Sequence, residues 1–415
     1  TNNGNTAVGY QAMKANTTGG ISVAIGYQAL VAQTTGAANV AVGDRALATV
    51  TTASSNTALG TQALRYNTTG AQNTAVGTYA LDANTTGADN TAIGYDALST
   101  PTGANANTAV GYAAGQLIST GGSNTIVGHQ AGDALTTGEQ NVIVGKGAGS
   151  AMTTGNYNVC LGTSAGVNLT TGTLNTAVGQ SALFTQTTAS GNTAVGYNAF
   201  NACTTGGEGV AIGSYALDAV TTGENNTGGG YNAGSAVTTG SHNTAIGRAT
   251  LNSLTTASLN TALGYNAGGN VTGVENICIG GQSGANITSG TYNITLGCYA
   301  GGYQNSHTGQ RNISIGYQAG YRLTTASYCC IVGYQAGVDI TTGNENTIFG
   351  NQAGYSLTTG INNVAMGSNA LMGTNTESHN TALGHHALKD LSDAQYNVAV
   401  GAYAGDDATT AQYGV

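Results

Sequence analysis

Tryptophan is absent from this chain of 415 residues, proline occurs once and phenylalanine three times, and charged residues make up 6%, against about 25% in an ordinary soluble domain. Without bulky aromatics a large round core cannot be filled, so the length does not translate into several ordinary globular domains. Bases are scarcer still: 8 Lys and Arg stand against 17 Asp and Glu, for a net charge of −9. No basic run exists, which leaves a phosphate backbone nothing to bind and excludes nucleic acid as an expected partner. No run approaches the roughly 18 apolar residues of a membrane helix, so no membrane insertion is expected within this segment. The opening TNNGNTAVGY lacks the layout of a signal peptide and begins without Met; the chain reads as a section of something longer.

Most chemistry is missing too. There is no GxSxG elbow, and the GGG at Gly228 to Gly230 has no P-loop lysine after it. The nearest carboxylate pairs, Asp390 with Asp393 and Asp406 with Asp407, have no pocket-forming insertion beside them. Acids such as Asp89, Glu139, Glu224 and Glu345 precede strands without forming a calcium-roll pattern. His385 and His386 are the one histidine cluster. The six cysteines never fall one repeat apart in a shared column, which predicts free and mostly buried thiols. The expectation is therefore a protein that is not an enzyme and has no cofactor and no metal.

What is present is one phrase, repeated. NTAVG or a close variant ends on Gly9, Gly26, Gly43 and so on at seventeen-residue steps to Gly264; the step then slips at Gly280 and Gly316, and resumes to Gly401. That gives 24 repeats without a spacer, expected to form a single continuous domain over 1–415 with irregularities within 265–316. In-phase Val, Ile and Leu exclude a disordered low-complexity chain. Three residues before each marker Gly stands Thr, Val, Ile or Cys330, and one before it an apolar residue in 23 of 24 repeats. That alternation, bounded by Asn and Gly, is a strand signal. The predicted fold is all-β, a parallel β-solenoid of 24 coils, each with a few short strands joined by turns, stacked about 4.8 Å apart.

Four residues before the marker stands Asn in 21 of 24 repeats, as at Asn5, Asn39, Asn56, Asn73 and Asn90. Asn suits a tight turn, and stacked amides can bond from coil to coil, so these residues are expected to form a structural ladder. A second regularity concerns bulk. Four residues after the marker stands a large apolar residue such as Leu30 or Leu64, or else Gly; with Gly, a large residue follows three later, as in Gly115 with Ile118 and Gly132 with Leu135. One filler per coil is what close packing demands. Gly301 and Gly405 depart from the rule.

Tyr often follows the marker, at Tyr10, Tyr27, Tyr95, Tyr112, Tyr317 and Tyr334 among others. If the preceding Val or Ile points inward, alternation turns Tyr outward, unless the Gly makes a corner. These tyrosines are candidate surface contacts, for a partner chain or a ligand. The insert GGYQNSHTGQ at Gly301 to Gln310 is the expected protruding loop, with Tyr303 and His307 as further candidate contacts.

The stretches SVAIG at Ser22 to Gly26 and VAIG at Val210 to Gly213, with NTAVG and NTAIG elsewhere, resemble the β-roll head repeats of YadA-like trimeric autotransporter adhesins. They are also similar to NTAVGYQAL repeats of phage tail-fibre and other surface-fibre proteins. The resemblance spans all 24 repeats and implies a left-handed, homotrimeric roll on a cell or virion surface that binds a host glycan or protein. The coil here is a few residues longer than the usual head repeat, and no stalk, neck or membrane anchor is present. The reading is then an extracellular structural or adhesive fibre segment whose first partner is itself. Two alternatives stand beside it: an end-to-end filament without a receptor, and an ice-binding solenoid suggested by the Thr-Thr pairs.

Overall fold

The structure is a computed structural model that describes residues 4–392 and 394–406, so Asp393 and Asp407 lie outside the described residues. It is an all-β parallel solenoid, with no helix among the described residues and 24 strands of three residues each. Contacts divide it into two units, Thr1–Glu208 and Gly209–Val415.

In the first unit, strands β1 (Thr6–Val8) to β12 (Thr193–Val195) stack in parallel, each residue opposite its counterpart one repeat on. Val40 pairs with Thr57, Ala41 with Ala58 and Val42 with Leu59. Each coil carries one strand rather than the several expected. The rest of the coil turns too often for another: in the coil after Gly43, Arg45, Leu47 and Ser55 all take φ between 50° and 61°, the left-handed region that ends an extended run. The turns are bonded along the stack nonetheless. Leu47 donates its N–H to the Ala63 carbonyl at 3.0 Å and Thr49 to Arg65 at 3.1 Å, so backbone groups find partners without a second strand.

The strands also face the other way from the simplest expectation. The middle residue, usually Ala, is the inward one: Ala41, Ala58 and Ala75 are fully buried, while the flanking Thr and Val or Leu point outward. Tyr after the marker is outward as well, because the Gly between makes a corner. Gly43 has φ +143°, and a Cβ there would sit 2.4 Å from the carbonyl oxygen of Gly60. A side chain is thus excluded twice, by conformation and by the coil above.

A small interior explains the inward Ala. In the coil after Gly43 it faces Ala46, Leu47, Val50 and Ala53, all buried. Where Gly replaces the Leu, the filler three residues later takes its space: a Cβ on Gly115 would meet Ile118 Cδ1 at 3.1 Å and Leu98 Cδ2 at 3.2 Å. Where Leu is kept, the later position is polar and bonded in some coils, as with Asn67, whose Nδ2 donates to the Gly70 carbonyl at 2.8 Å, and a second apolar residue in others, as with Val50, Val220 and Leu254.

The second unit stacks β13 (Val210–Ile212) to β24 (Val398–Val400) in the same manner. Its period slips do not disturb the ladder, for Thr261 pairs with Ile277 and Ile294 with Ile313. They are absorbed in the turns. His307 bridges Ile287, the filler of the coil before. Five residues separate Gly301 from His307 where two separate Gly284 from Ile287, and the usual Thr-Thr-Gly is shortened to Thr308-Gly309. The slip of two is therefore an insertion of three and a deletion of one.

This corrects the expectation for His307. It is no surface contact but a fully buried side chain, because it stands in the filler column beside Ile287 and lies against Gly302; the space at Gly301 itself is taken by Thr295. Gly301 obeys the filler rule after all, at a distance stretched by the insertion. Gln304, Asn305, Ser306, Thr308 and Gln310 of the insert are exposed, with Tyr303 half-buried.

Candidate functional site

Asn side chains form the spine of each unit. Asn56 donates its backbone N–H to Asn39 Oδ1 at 2.9 Å, and its Nδ2 to the same oxygen at 3.3 Å and to the Gly70 carbonyl at 3.0 Å. Asn73 and Asn90 repeat the pattern one and two coils on. Asn5, half-buried, accepts from the Ser22 N–H at 2.9 Å and donates to Gly19 at 2.8 Å. A buried amide with all its groups bonded stabilises, whereas the same amide unbonded would cost about 1–3 kcal/mol. These residues carry architecture, not chemistry.

Tyr10, Tyr27, Tyr95, Tyr112, Tyr317 and Tyr334 are exposed, but their ring faces are largely taken. Tyr10 stacks on Tyr27 at 5.3 Å between centroids, Tyr95 on Tyr112 at 5.6 Å, Tyr112 on His129 at 5.0 Å and Tyr317 on Tyr334 at 5.5 Å. The coil repeat sets this spacing. Arg45 covers Tyr27 at 5.7 Å. Such columns offer ring edges and hydroxyls to a partner more than open faces. Tyr303 lies 4.6 Å from Tyr299 and 5.5 Å from Tyr321, so the insert is pinned by its ring.

Three of the cysteine columns are core positions. All six thiols are free, and Cys160, Cys203, Cys278 and Cys329 are buried. Burial pushes the Cys160 thiol up to about 12 and the other three to about 11, which keeps them protonated and unreactive at neutral pH. His385 and His386 have rings 4.0 Å apart, with Asn369 bonded to His386 Nε2 at 2.9 Å. No group of three metal-ligating side chains is present among the described residues. Asp390 is exposed and Asp406 half-buried at the last described turn.

Two features escaped sequence reasoning. The first is the outward strand face. Ile25, Leu59 and Ile93 of the first unit, and Ile212, Leu263, Phe349 and Met366 of the second, are 40–53% exposed. Alternation marks two faces but does not say which is inside. The second is a cleft at Tyr215 and Asp218, whose signal was the phrase YALDA, present at Tyr79 to Ala83 and again at Tyr215 to Ala219. No protein-family model and no curated protein matches the chain.

Proposed function

We propose that this chain is a non-enzymatic, extracellular structural and adhesive fibre segment that associates with copies of itself as a homotrimer. The observation that supports the reading is the outward strand face. In each unit a column of Val, Ile, Leu, Phe and Met runs along the stack beside a column of Thr and Val, on a thin solenoid whose interior is mostly Ala. An apolar strip that recurs at every coil but the one with Gly229 exceeds the scattered exposure normal for a monomer. A second copy presenting the same strip covers it at every level, since the two have the same repeat. The resemblance to YadA-like heads points to three copies, to left-handed coils and to a cell or virion surface, with host glycan or protein as the ligand class.

Light scattering of the purified chain tests this. The expected mass is three times 40.8 kDa. A double substitution on the strip, Leu59→Lys with Ile93→Lys, should lower the mass toward one chain while the strand signal in circular dichroism persists. A wild-type monomer would sink the reading.

A further inference from the structure

Two places in the chain bring the same side chains together. In the second unit, Tyr215, Asp218, Tyr231, Asn232 and Ser235 line an open cleft of about 330 Å³. In the first, Tyr79, Asp82, Tyr95, Asp96 and Ser99 hold the same repeat positions. The ring geometry is shared: Tyr215 meets Tyr231 edge to face at 6.1 Å and 88°, and Tyr79 meets Tyr95 at 5.8 Å and 87°. So is an anomaly. Asp218 and Asp82 each hold one carboxylate oxygen, Oδ1, out of solvent without a hydrogen-bond donor. A structural repeat has no need of an acid there, since other coils place Ala48, Ser99 or Ser235 at that position.

We propose that the Asp218 cleft binds an alkylammonium group, with the carboxylate as counter-ion and the Tyr rings as walls. Charge favours a cation over a neutral sugar. The Asp218 carboxyl receives backbone N–H groups of Asp218 and Ala219 but no Lys, Arg or His, and burial still raises its pKa; an ammonium would supply a donor for Oδ1 and the missing charge. The chain's own cations show the affinity of its Tyr rings for such groups. Arg65 lies over Tyr66 at 4.5 Å, Arg248 over Tyr265 at 5.8 Å, and Arg311 over both Tyr292 and Tyr328 at 5.3 and 5.5 Å. The two copies differ in the way that makes one available. Arg65 acts on Asp82, lowering its pKa against burial, whereas Asp218 is met only by its own and the Ala219 backbone N–H and by no cation. The first copy is served from within and the second is open.

The test is a calorimetric and NMR titration of the full chain with n-butylammonium. Saturable binding at about millimolar Kd is expected, weakened by salt and reduced at least about tenfold by the isosteric Asp218→Asn. Asp82→Asn should leave it within about twofold, and Tyr231→Leu should weaken it while Asp218 remains. Equal affinity for butylammonium and Nα-acetyl-lysine amide, whose side-chain ammonium is free, would mark a free amine as the ligand; a preference of about tenfold for the latter would mark a protein lysine. No saturation by about 50 mM, unchanged binding in Asp218→Asn, or binding of a neutral methyl glycoside in place of the amine would overturn the proposal. The site does not depend on self-association, so this titration and the mass measurement fail separately.

Discussion

The coil from Gly111 to Asn124 in the first unit and the coil from Gly297 to Asn312 in the second face the same packing problem and differ in how they meet it. In the first, Gly115 is backed by Ile118, and Ser119, Thr120 and Gly121 all donate N–H groups to the Thr136 carbonyl, at 2.9, 3.4 and 3.3 Å. In the second, the filler that follows Gly301 is His307, packed against Gly302, and only Thr308 and Gly309 converge on the Thr324 carbonyl, at 2.7 and 3.3 Å. The interior changes with it. Around the irregular coil, inward positions held elsewhere by Ala are taken by Cys278, Ser283, Thr295 and Ser314, all buried. Ser283 donates to Thr295 at 2.9 Å, but Ser314 Oγ and His307 Nδ1 have no partner. The comparison separates what a coil must keep from what it can vary. Both keep the marker Gly, the strand register and the Asn rung, for Asn312 bonds to Asn293 as Asn124 bonds to Asn107. Filler and turn are negotiable.

The largest effect should come from what both coils keep. Gly111 has φ +137° and would place a Cβ 2.4 Å from the Gly128 carbonyl oxygen. Gly111→Ala is expected to cost more than about 4 kcal/mol in denaturant unfolding. Gly147 has φ +62° with nothing within 4 Å of a Cβ, so Gly147→Ala should cost only about 1 kcal/mol. Similar losses at both positions would mean that coil contact is not the reason for the marker.

The Asn rung comes next. Asn124 accepts from the Asn141 N–H at 3.0 Å and donates to Asn107 and to the Gly138 carbonyl, both at 3.0 Å. Asn124→Ala leaves those groups buried and unbonded, at about 3 kcal/mol. Hydrogen exchange at the Asn141 amide should accelerate most, and exchange spread evenly over the unit would argue against a local ladder.

His307 should make the second coil acid-sensitive and leave the first untouched. Burial lowers its pKa from 6.5 to about 4. Between those values the unfolded ring holds a proton that the folded ring does not, so stability is complete above pH 6.5 and is lost as pH falls toward 4, by about 3 kcal/mol in all. Its close neighbours, Asn312 at 3.3 Å from Nε2, Gly302, Gly309 and Ile287, carry no charge to offset this. Exchange at the Thr288 and Thr308 amides should quicken on acidification, while His307→Leu should flatten the response.

The smallest effect sharpens the comparison from the other side. Cys329 stands in the Asn column and donates its N–H to Asn312 Oδ1 at 3.0 Å and its Sγ to the Gly343 carbonyl at 3.2 Å. Cys329→Asn restores the amide and should stabilise the unit by about 1 kcal/mol. A loss instead would show that the neighbouring interior has adapted to sulfur.

Much of this molecule was legible in its sequence. A seventeen-residue period, an alternating strand triplet per repeat and an Asn at a nearly constant offset dictate a parallel solenoid with an amide column, because stacking puts like residue over like. The compensation between Leu64-type and Ile118-type fillers is volume conservation written along the chain. Three things waited for the tertiary structure. Which face of TAV is inside was decided by the thin interior, which admits Ala41 and turns Val42 out. The place of His307 was decided by its bridge to Ile287, since an insertion of three and a deletion of one cannot be told from a plain insertion of two. The meeting of Asp218 with Tyr231 and Ser235 was decided by coil stacking, which joins residues that no local pattern links. Periodicity specifies the repeat; what each coil presents outward depends on the coil beside it.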